Sequence, residues 1–401
     1  MRLPRLSRRR LVAAGGLSLV AGFGLDPSLA TSAESGAATR TDGWPTARRD
    51  PARTGFDPDG DAPRGDFSLR WRASVPPVEY ETRSFGVTEE TVYVAGEGRL
   101  VALDAESGAA RWQVSDRKAR GHGQLRFSAP PTTVGETVVA ACGFRVFGFD
   151  AGSGRFRWAY DNAAHGTAPL VVGRTGYWPN WNDGIAVVDV ETGIPRERSP
   201  LPAGPSSTPD FSPLAARDGI LVGRGDVPDE LAAVDSRTGT RRWTVALDVA
   251  SPGEVLPCLG PGAAFYGSGP LYAISLDDGE IRWESDADVS HADFHPVTDD
   301  ERVYAVTGGE RSAVVAFDAE TGERVWRTVA PVESDAPPAV VDETLYAAAP
   351  TGFVVLDTAD GTELARFEAR ENPGRARPPA VVDGTVYAGV DRALYAVEGT
   401  S

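Results

Sequence analysis

The sequence predicts an all-β fold, an eight-bladed β-propeller of four-stranded antiparallel blades in which an N-terminal strand closes the last blade. Three observations predict it: one turn motif recurs at a nearly constant period, short alternating strands flank each copy, and the main body has no helical periodicity. The 45 Gly and 31 Pro among 401 residues also agree with many short strands joined by turns.

The repeat unit is a strand ending in Asp, a turn of the form Asp-x-x-Ser/Thr-Gly, and a strand that begins with Arg-Trp. The positions equivalent to this Asp, which we call Asp-phase positions, are 104, 150, 189, 235, 275, 318, 357 and 398, at spacings of 39 to 46 residues, with Ser at 275 and Glu at 398. The positions equivalent to the Trp are the Trp phase. The Asp is predicted to accept a hydrogen bond from the N–H two residues on, and the Gly to adopt φ > 0. One carboxylate per turn is too few for a calcium shell, so turn capping is the preferred interpretation. The phased Trp residues are predicted to pack between blades.

The two ends of the chain are predicted to meet. Trp71 occupies the Trp position of the repeat, but no strand that ends at an Asp-phase position precedes it. The strand at 393–397 ends at an Asp-phase position, but no strand with the Trp position follows it. Pairing them closes the ring and removes two exposed sheet edges. Seven blades is the alternative if the copy at 194–207 is an insertion.

Residues 1–30 are predicted to be a Tat-type signal peptide, because Arg8-Arg9-Arg10 precedes an apolar run at 11–25 and small residues at 28–30. A retained membrane anchor is the alternative, but this run is shorter than the ~20 residues that span a bilayer. Residues 31–43 are predicted to be a flexible linker and residues 44–401 a single propeller domain. The protein is therefore expected to be exported, extracellular or at the cell surface, without direct membrane insertion.

The charge pattern limits the partners. Residues 1–30 contribute +4 of the net −17, so the remainder carries −21, and Lys118 is the single lysine among 40 basic residues. This composition suits solubility in high salt, although codon bias explains few lysines equally well. It argues against nucleic acid or anionic membranes as partners.

The segments Val101–Trp112, Leu271–Trp283 and Val315–Trp326 match the pattern Leu-Tyr-Ala-Leu-Asp-x-x-Thr-Gly-x-x-x-Trp, the second with Ser275 in place of Asp. With these motifs, residues 66–401 resemble the PQQ-like repeat family, the eight-bladed propellers related to quinoprotein dehydrogenases. The opening Trp44-Pro45 and residues 50–55 look like the start of exported PQQ-repeat proteins of halophiles. The resemblance implies a non-catalytic binding or protein-assembly scaffold, or alternatively a small PQQ-dependent oxidoreductase.

The enzymes of that family carry adjacent cysteines and a Ca²⁺ site of Glu, Asn and Asp beside the quinone. Here Cys142 and Cys258 fall in different blades, too far apart for a disulfide, and are predicted to be free buried thiols. We find no Asn-x-Asp constellation and no Cys-x-x-Cys-His haem motif. No cofactor is therefore expected, and PQQ with Ca²⁺ belongs only to the alternative.

A ring of charged residues is predicted at the channel mouth, just before each innermost strand. Its three arginines cluster across the closure seam, and its four carboxylates occupy consecutive blades, so the funnel suits a zwitterionic or anionic ligand. Solvated loop charges are the other interpretation. The ring consists of Arg83, Arg126, His165, Asp210, Glu254, Asp293, Asp335 and Arg377.

A second candidate site is an aromatic loop with Trp178, Asn180, Trp181 and Asn182, whose tryptophans fall outside the Trp phase. Flat rings beside amides suit sugars or peptides, which gives a carbohydrate- or peptide-binding propeller as a further alternative. The same tryptophans otherwise cover the weak third repeat. His291 and His295 lie on one side of a strand with Asp293, but no third His is near and no metal site is predicted. The expected partner is a cell-envelope protein or a small ligand, and the chain is expected to be a monomer.

Overall fold

The structure, a computed structural model, describes residues 43–76, 85–96, 98–115, 127, 129–161, 169–180, 184–195, 211–225, 229–249, 256–267, 269–285, 295–309, 311–370 and 373–400. These residues form strands and turns, and they contain no helix that is long and apolar enough to cross a membrane. The predicted signal peptide at 1–30 and all of the predicted linker except Gly43 lie outside them.

The described strands form eight blades around a central channel, which confirms the predicted propeller. Each blade runs antiparallel from its innermost strand outward, and from the third blade to the eighth the innermost strands of neighbouring blades contact one another. Blade 1 is β3 (Phe85–Val87), β4 (Thr91–Gly96), β5 (Arg99–Asp104) and β6 (Ala110–Ser115). Blade 2 is β7 (Thr132–Val134), β8 (Thr137–Cys142), β9 (Arg145–Asp150) and β10 (Phe156–Asp161). Blade 3 is β11 (Leu170–Val172), β12 (Thr175–Asn180) and β13 (Gly184–Asp189), with a bridge from Val188 to Pro195.

The second half continues the pattern. Blade 4 is β14 (Ser212–Arg217), β15 (Ile220–Arg224), β16 (Glu230–Asp235) and β17 (Arg241–Ala246). Blade 5 is β18 (Cys258–Gly260), β19 (Ala263–Tyr266), β20 (Tyr272–Ser275) and β21 (Ile281–Glu284). Blade 6 is β22 (Val297–Thr298), β23 (Arg302–Thr307), β24 (Ala313–Asp318) and β25 (Arg324–Val329). Blade 7 is β26 (Ala339–Val341), β27 (Thr344–Ala349), β28 (Gly352–Asp357) and β29 (Glu363–Glu368), joined on its inner edge by β1 (Phe56–Asp57).

Blade 8 closes the ring with both ends of the chain. Its strands are β30 (Ala376–Val382), β31 (Thr385–Val390), β32 (Ala393–Thr400) and, outermost, β2 (Gly65–Ser74). Trp71 lies opposite Ala396 and Ser74 opposite Ala393 in the antiparallel pair. The predicted closure is confirmed.

The phased tryptophans hold neighbouring blades together, as predicted. Each indole Nε1 donates a hydrogen bond of 2.8–3.1 Å to the carbonyl that follows the Asp-phase position of the next blade. The pairs are Trp71 with Ala105, Trp112 with Ala151, Trp158 with Val190, Trp243 with Leu276, Trp283 with Ala319, and Trp326 with Thr358. Most of the buried apolar side chains form separate clusters along the ring.

The repeated Asp caps its turn. Asp104 Oδ1 accepts hydrogen bonds from Ser107 N at 2.8 Å and Ser107 Oγ at 2.7 Å, so the principal donor lies three residues on rather than the two predicted. Arg111 donates to Asp104 Oδ2 through Nη2 at 2.8 Å. The Ser107 hydroxyl and then the Arg111 guanidinium hold the pKa of Asp104 well below its usual range.

Candidate functional site

One end of the channel is closed by the chain's own N-terminal segment. We call this the basal end, where each innermost strand turns into the second strand, and we call residues 44–57 the plug. In six blades the backbone N–H that lies four residues before the second strand donates to a plug carbonyl, at 2.8–2.9 Å. The donor–acceptor pairs are Val87 to Trp44, Thr133 to Pro45, Ala216 to Pro51, Leu259 to Ala52, Thr298 to Thr54, and Val340 to Gly55.

Local sequence gives the plug its tight path. Three arginines, Arg48, Arg49 and Arg53, adopt left-handed φ values of 55°, 69° and 61°. Few non-glycine residues do so, and the conformation persists where surroundings fix it. Asp50 closes the bend because its carboxylate accepts hydrogen bonds from the N–H and hydroxyl of Thr54.

Arg53 anchors the plug against the blades and against the plug itself. Its side chain is 1% exposed. Nε donates to Leu214 O at 3.3 Å, and Nη1 donates to Thr46 Oγ1 at 3.0 Å and Ala47 O at 2.9 Å. Burial lowers the pKa of Arg53 to about 10, an effect that the Asp50 carboxylate partly offsets.

Arg48 occupies a second pocket. Nη1 donates to Leu256 O at 2.9 Å and Pro296 O at 3.2 Å, and Nη2 lies 2.8 Å from His295 Nδ1. Since a guanidinium only donates, Nδ1 of His295 is the acceptor in this contact. Burial lowers the pKa of Arg48 to about 9, and the neighbouring Arg53 cation lowers it further. Within the described chain, this buried cation is therefore held by two carbonyls and an imidazole nitrogen.

Most of the predicted channel-mouth ring falls outside the part of the chain that the structure describes: Arg83, Arg126, His165, Asp210, Glu254 and Asp293. Asp335 is half-buried in the turn before β26. Arg377 lies within β30 and is 1% exposed, so it is a buried side chain and not the mouth residue that was predicted.

Arg377 lies over Gly389, its partner across the strand pair, where an added Cβ would clash with Cδ of Arg377. Nη2 donates to Pro76 O at 3.0 Å, whereas Nε and Nη1 are buried without a hydrogen-bond partner among the described residues. Burial lowers the pKa of Arg377 to about 10. The nearby Asp391 carboxylate is engaged by Arg370 Nη1 at 2.6 Å and by the Arg375 N–H.

The predicted aromatic loop is corrected at Trp178. This residue lies in β12, is 1% exposed, and stacks on Trp158 with ring centroids 6.5 Å apart and an interplanar angle of 14°. It packs between blades because Gly176 leaves room beneath the ring. The covering role weighed for these tryptophans therefore fits Trp178. The backbone of Asn180 ends β12, and Trp181 and Asn182 lie outside the described residues.

The predictions about the cysteines and about a metal site concern residues that the structure describes in part. Cys142 and Cys258 are free and buried, as predicted, and burial raises the pKa of the Cys258 thiol far above its usual value. Among the described residues, no three His, Cys, Asp or Glu side chains are grouped as metal ligands. His295 is bound to Arg48, and His291 and Asp293 lie outside this part of the chain.

The arginines of the plug are the functional candidates that the sequence did not single out. A signal was present, because residues 44–57 fall outside the repeat and combine two Pro, three Arg and a Thr-Gly pair. Such a stretch favours an ordered, non-repeating path over another blade strand.

Comparison with known proteins places the chain among PQQ-type propellers. A family model described as outer membrane protein assembly factor BamB matches residues 61–226 and 228–400. The chain is similar to BamB from Moraxella catarrhalis, with TM-score 0.62 and 15% identity over 83% of this chain and 98% of that one. It is also similar to quinohemoprotein alcohol dehydrogenase from Comamonas testosteroni, with TM-score 0.66 and 14% identity over 94% and 83%. At these identities the likeness establishes the fold.

A curated relative matches a shorter stretch. The serine/threonine-protein kinase AfsK of Streptomyces griseus is 30% identical over 164 residues. The match covers 39% of this chain and about a fifth of the kinase, 20% of its length.

Proposed function

Because the chain belongs to the family described as outer membrane protein assembly factor BamB, we propose that it is an exported propeller that binds proteins of the cell envelope as a non-catalytic scaffold. The family match spans nearly the whole ring, and a solved BamB is covered over 98% of its length by this chain. A rigid ring with one filled end presents its opposite end, which we call the distal end, as the binding surface.

The observation that carries this proposal is that the plug fills the basal end of the channel. The plug fills the basal end and brings two buried guanidinium groups, Arg48 and Arg53, to it. Cations repel Ca²⁺ at short range in a poorly solvated site. The described basal channel is therefore a poor fit for a Ca²⁺–PQQ pair. Seven of the eight described tryptophans are also buried, which leaves few indole faces for a flat cofactor.

An oxidoreductase is the second candidate, favoured by the fold similarity to quinohemoprotein alcohol dehydrogenase. A carbohydrate- or peptide-binding aromatic loop has less support, since Trp178 is enclosed by Trp158 and Tyr160. Export, through the predicted signal peptide, remains part of the proposal.

Site-specific photocrosslinking tests the scaffold role. A photoreactive residue at Arg392, an exposed position in the distal turn between β31 and β32, should capture envelope proteins in the native host. The matched control is Asp277, which is also exposed but lies in a basal turn, and it should capture few. Equal capture at both positions, or none at Arg392, contradicts a distal binding surface.

A cofactor titration tests the second candidate. Purified protein receives PQQ and Ca²⁺, and quinone absorbance and dye reduction with a panel of alcohols are measured. We expect no saturable absorbance change and no turnover. Dye reduction that depends on both additions overturns the scaffold proposal.

A further inference from the structure

We propose that the basal end of the channel is a recognition site for an arginine-bearing peptide that follows a turned path, and that the plug is its resident, exchangeable occupant. The site consists of a ring of backbone N–H groups and two arginine pockets lined by carbonyl oxygens. This inference stands whether or not the scaffold function is correct, because it concerns the opposite end of the channel.

The backbone ring provides recognition independent of sequence. Six blades present the same N–H to the same axis, and successive plug carbonyls accept from them in chain order, from blade 1 through blade 7. At Phe56 and Asp57 the plug continues as a parallel strand on β26. At β26 this is edge-strand addition, a mode by which many domains bind peptides. The other five blades each donate one backbone hydrogen bond to the plug.

The side-chain pockets provide selectivity. The Arg53 guanidinium donates to Leu214 O of the blades, and its other two acceptors, Ala47 O and Thr46 Oγ1, belong to the plug itself. The Arg48 guanidinium is held by two carbonyls and by His295 Nδ1. Carbonyls around a planar guanidinium favour Arg over Lys, because they match its fixed set of N–H directions.

Gly55 adds a steric requirement to the same site. It has φ +65°, and a Cβ there would approach Val297 Cγ1 to 2.6 Å. An occupant therefore needs Gly two residues after the second Arg. The site accepts a peptide with Arg at 48, Arg at 53 and Gly at 55.

The shape of the plug indicates that the site imposes it. Three non-glycine residues, Arg48, Arg49 and Arg53, lie in the left-handed region, which an isolated segment of this composition rarely populates. Buried guanidinium groups also need acceptors that the plug alone does not supply, such as Leu214 O and Leu256 O. The plug thus has the features of a bound ligand that happens to be tethered.

The connection between the plug and β2 can be cut, which allows the exchange of the plug to be measured. Asp59 and Asp61 are exposed in the connection between the plug and β2. A protease site replacing residues 58–61 allows the full chain to fold first and then to be cut, which leaves the plug bound without a covalent link. Size-exclusion chromatography follows the released fragment while synthetic peptide 43–57 is added.

We expect the cut fragment to stay with the ring and to be displaced by excess peptide 43–57. A peptide with Arg53→Met should need at least a tenfold higher concentration, because it loses three hydrogen bonds from a charged group. A scrambled peptide should not displace it. Failure of the authentic peptide to displace the fragment, or equal displacement by the scrambled one, overturns the proposal.

Hydrogen exchange on uncut, unmodified protein gives an independent measurement. The amide hydrogens of Val87, Thr133 and Leu259 should be protected, and excess peptide should not change them. In the cut protein, peptide 43–57 labelled with ¹³C and ¹⁵N should replace the plug while the ring amides stay protected. Rapid exchange at these amides in the uncut protein contradicts a loaded site.

Discussion

The turn glycine of the repeat gives the sharpest test of how the blades pack. Gly322 has φ +75°, and a Cβ added to it would lie 2.6 Å from Cδ2 of Trp283 in the preceding blade. That separation is well short of ordinary van der Waals contact between carbon atoms, about 3.5–4 Å. Gly322→Ala therefore imposes two costs, one on the backbone and one on the indole, whose Nε1 bonds Ala319 O at 3.1 Å.

The two costs can be separated by a matched glycine. A left-handed alanine costs about 1–2 kcal/mol, and forced overpacking adds about 1–3 kcal/mol. Gly173 has φ +54°, and no atom lies within 4 Å of the place that a Cβ would take, so Gly173→Ala should lose only the first amount. Gly322→Ala should lose about 2–5 kcal/mol of unfolding free energy in all.

Urea unfolding followed by tryptophan fluorescence measures both losses. In a Trp283→Leu background the extra cost of Gly322→Ala should vanish, because the ring that it strikes is gone. Equal losses for Gly322→Ala and Gly173→Ala, or an extra cost that persists without the indole, refutes the packing argument.

Three other predictions concern charges and packing. The pKa values of Asp150 and Asp235 are lowered to about 2 by hydrogen bonds within their turns, so their contribution to folding stability is complete above the unfolded pKa of about 4 and is lost as pH falls through about 2. The double variant Asp150→Asn with Asp235→Asn should therefore have a lower urea midpoint at pH 7, and that midpoint should fall less steeply below about pH 4. An unchanged dependence of the midpoint on acid pH would contradict this. Trp178→Ala should cost about 3–5 kcal/mol in urea unfolding, whereas Trp178→Phe should cost less than about 1.5 kcal/mol, and equal costs would argue against a packed ring. Arg377→Met should leave the urea midpoint unchanged or raise it, because two of the Arg377 nitrogens are buried without partners among the described residues. Arg53→Met should lower the free energy of unfolding by at least about 2 kcal/mol, because it leaves buried carbonyls without a donor. A larger loss of stability for Arg377→Met than for Arg53→Met would contradict both expectations.

The repeat was predictable because its residues have short-range physical reasons. Asp104 and Gly108 meet the needs of one turn, and Trp71 meets the needs of one interface, so their phase in the sequence is the phase of the blades. The closure of the ring was predictable for the same reason, because the strand around Trp71 has no Asp-phase strand before it in the sequence. That phase predicted which two strands pair, but not the register that places Trp71 opposite Ala396.

The position of a residue within the repeat does not predict the direction of its side chain. Arg377 has the expected position at the start of an innermost strand, yet its side chain lies across Gly389 within blade 8. Trp178 is out of phase because it fills space from the second strand of its blade, beside Trp158. Phase locates a residue along the chain, but burial depends on which side of the strand it occupies and on small neighbours such as Gly176.

The plug addresses a need that the repeat cannot meet by itself. Pairing β2 with β32 closes the outer ring, but each innermost strand still has an unpaired edge facing the axis. Buried N–H groups require acceptors, and no blade can supply them, because every blade presents the same edge. A segment outside the repeat can supply them, and residues 44–57 accept one such hydrogen bond from each of six blades. The plug thereby occupies the basal end, which leaves the distal end as the surface available to the proposed envelope partners.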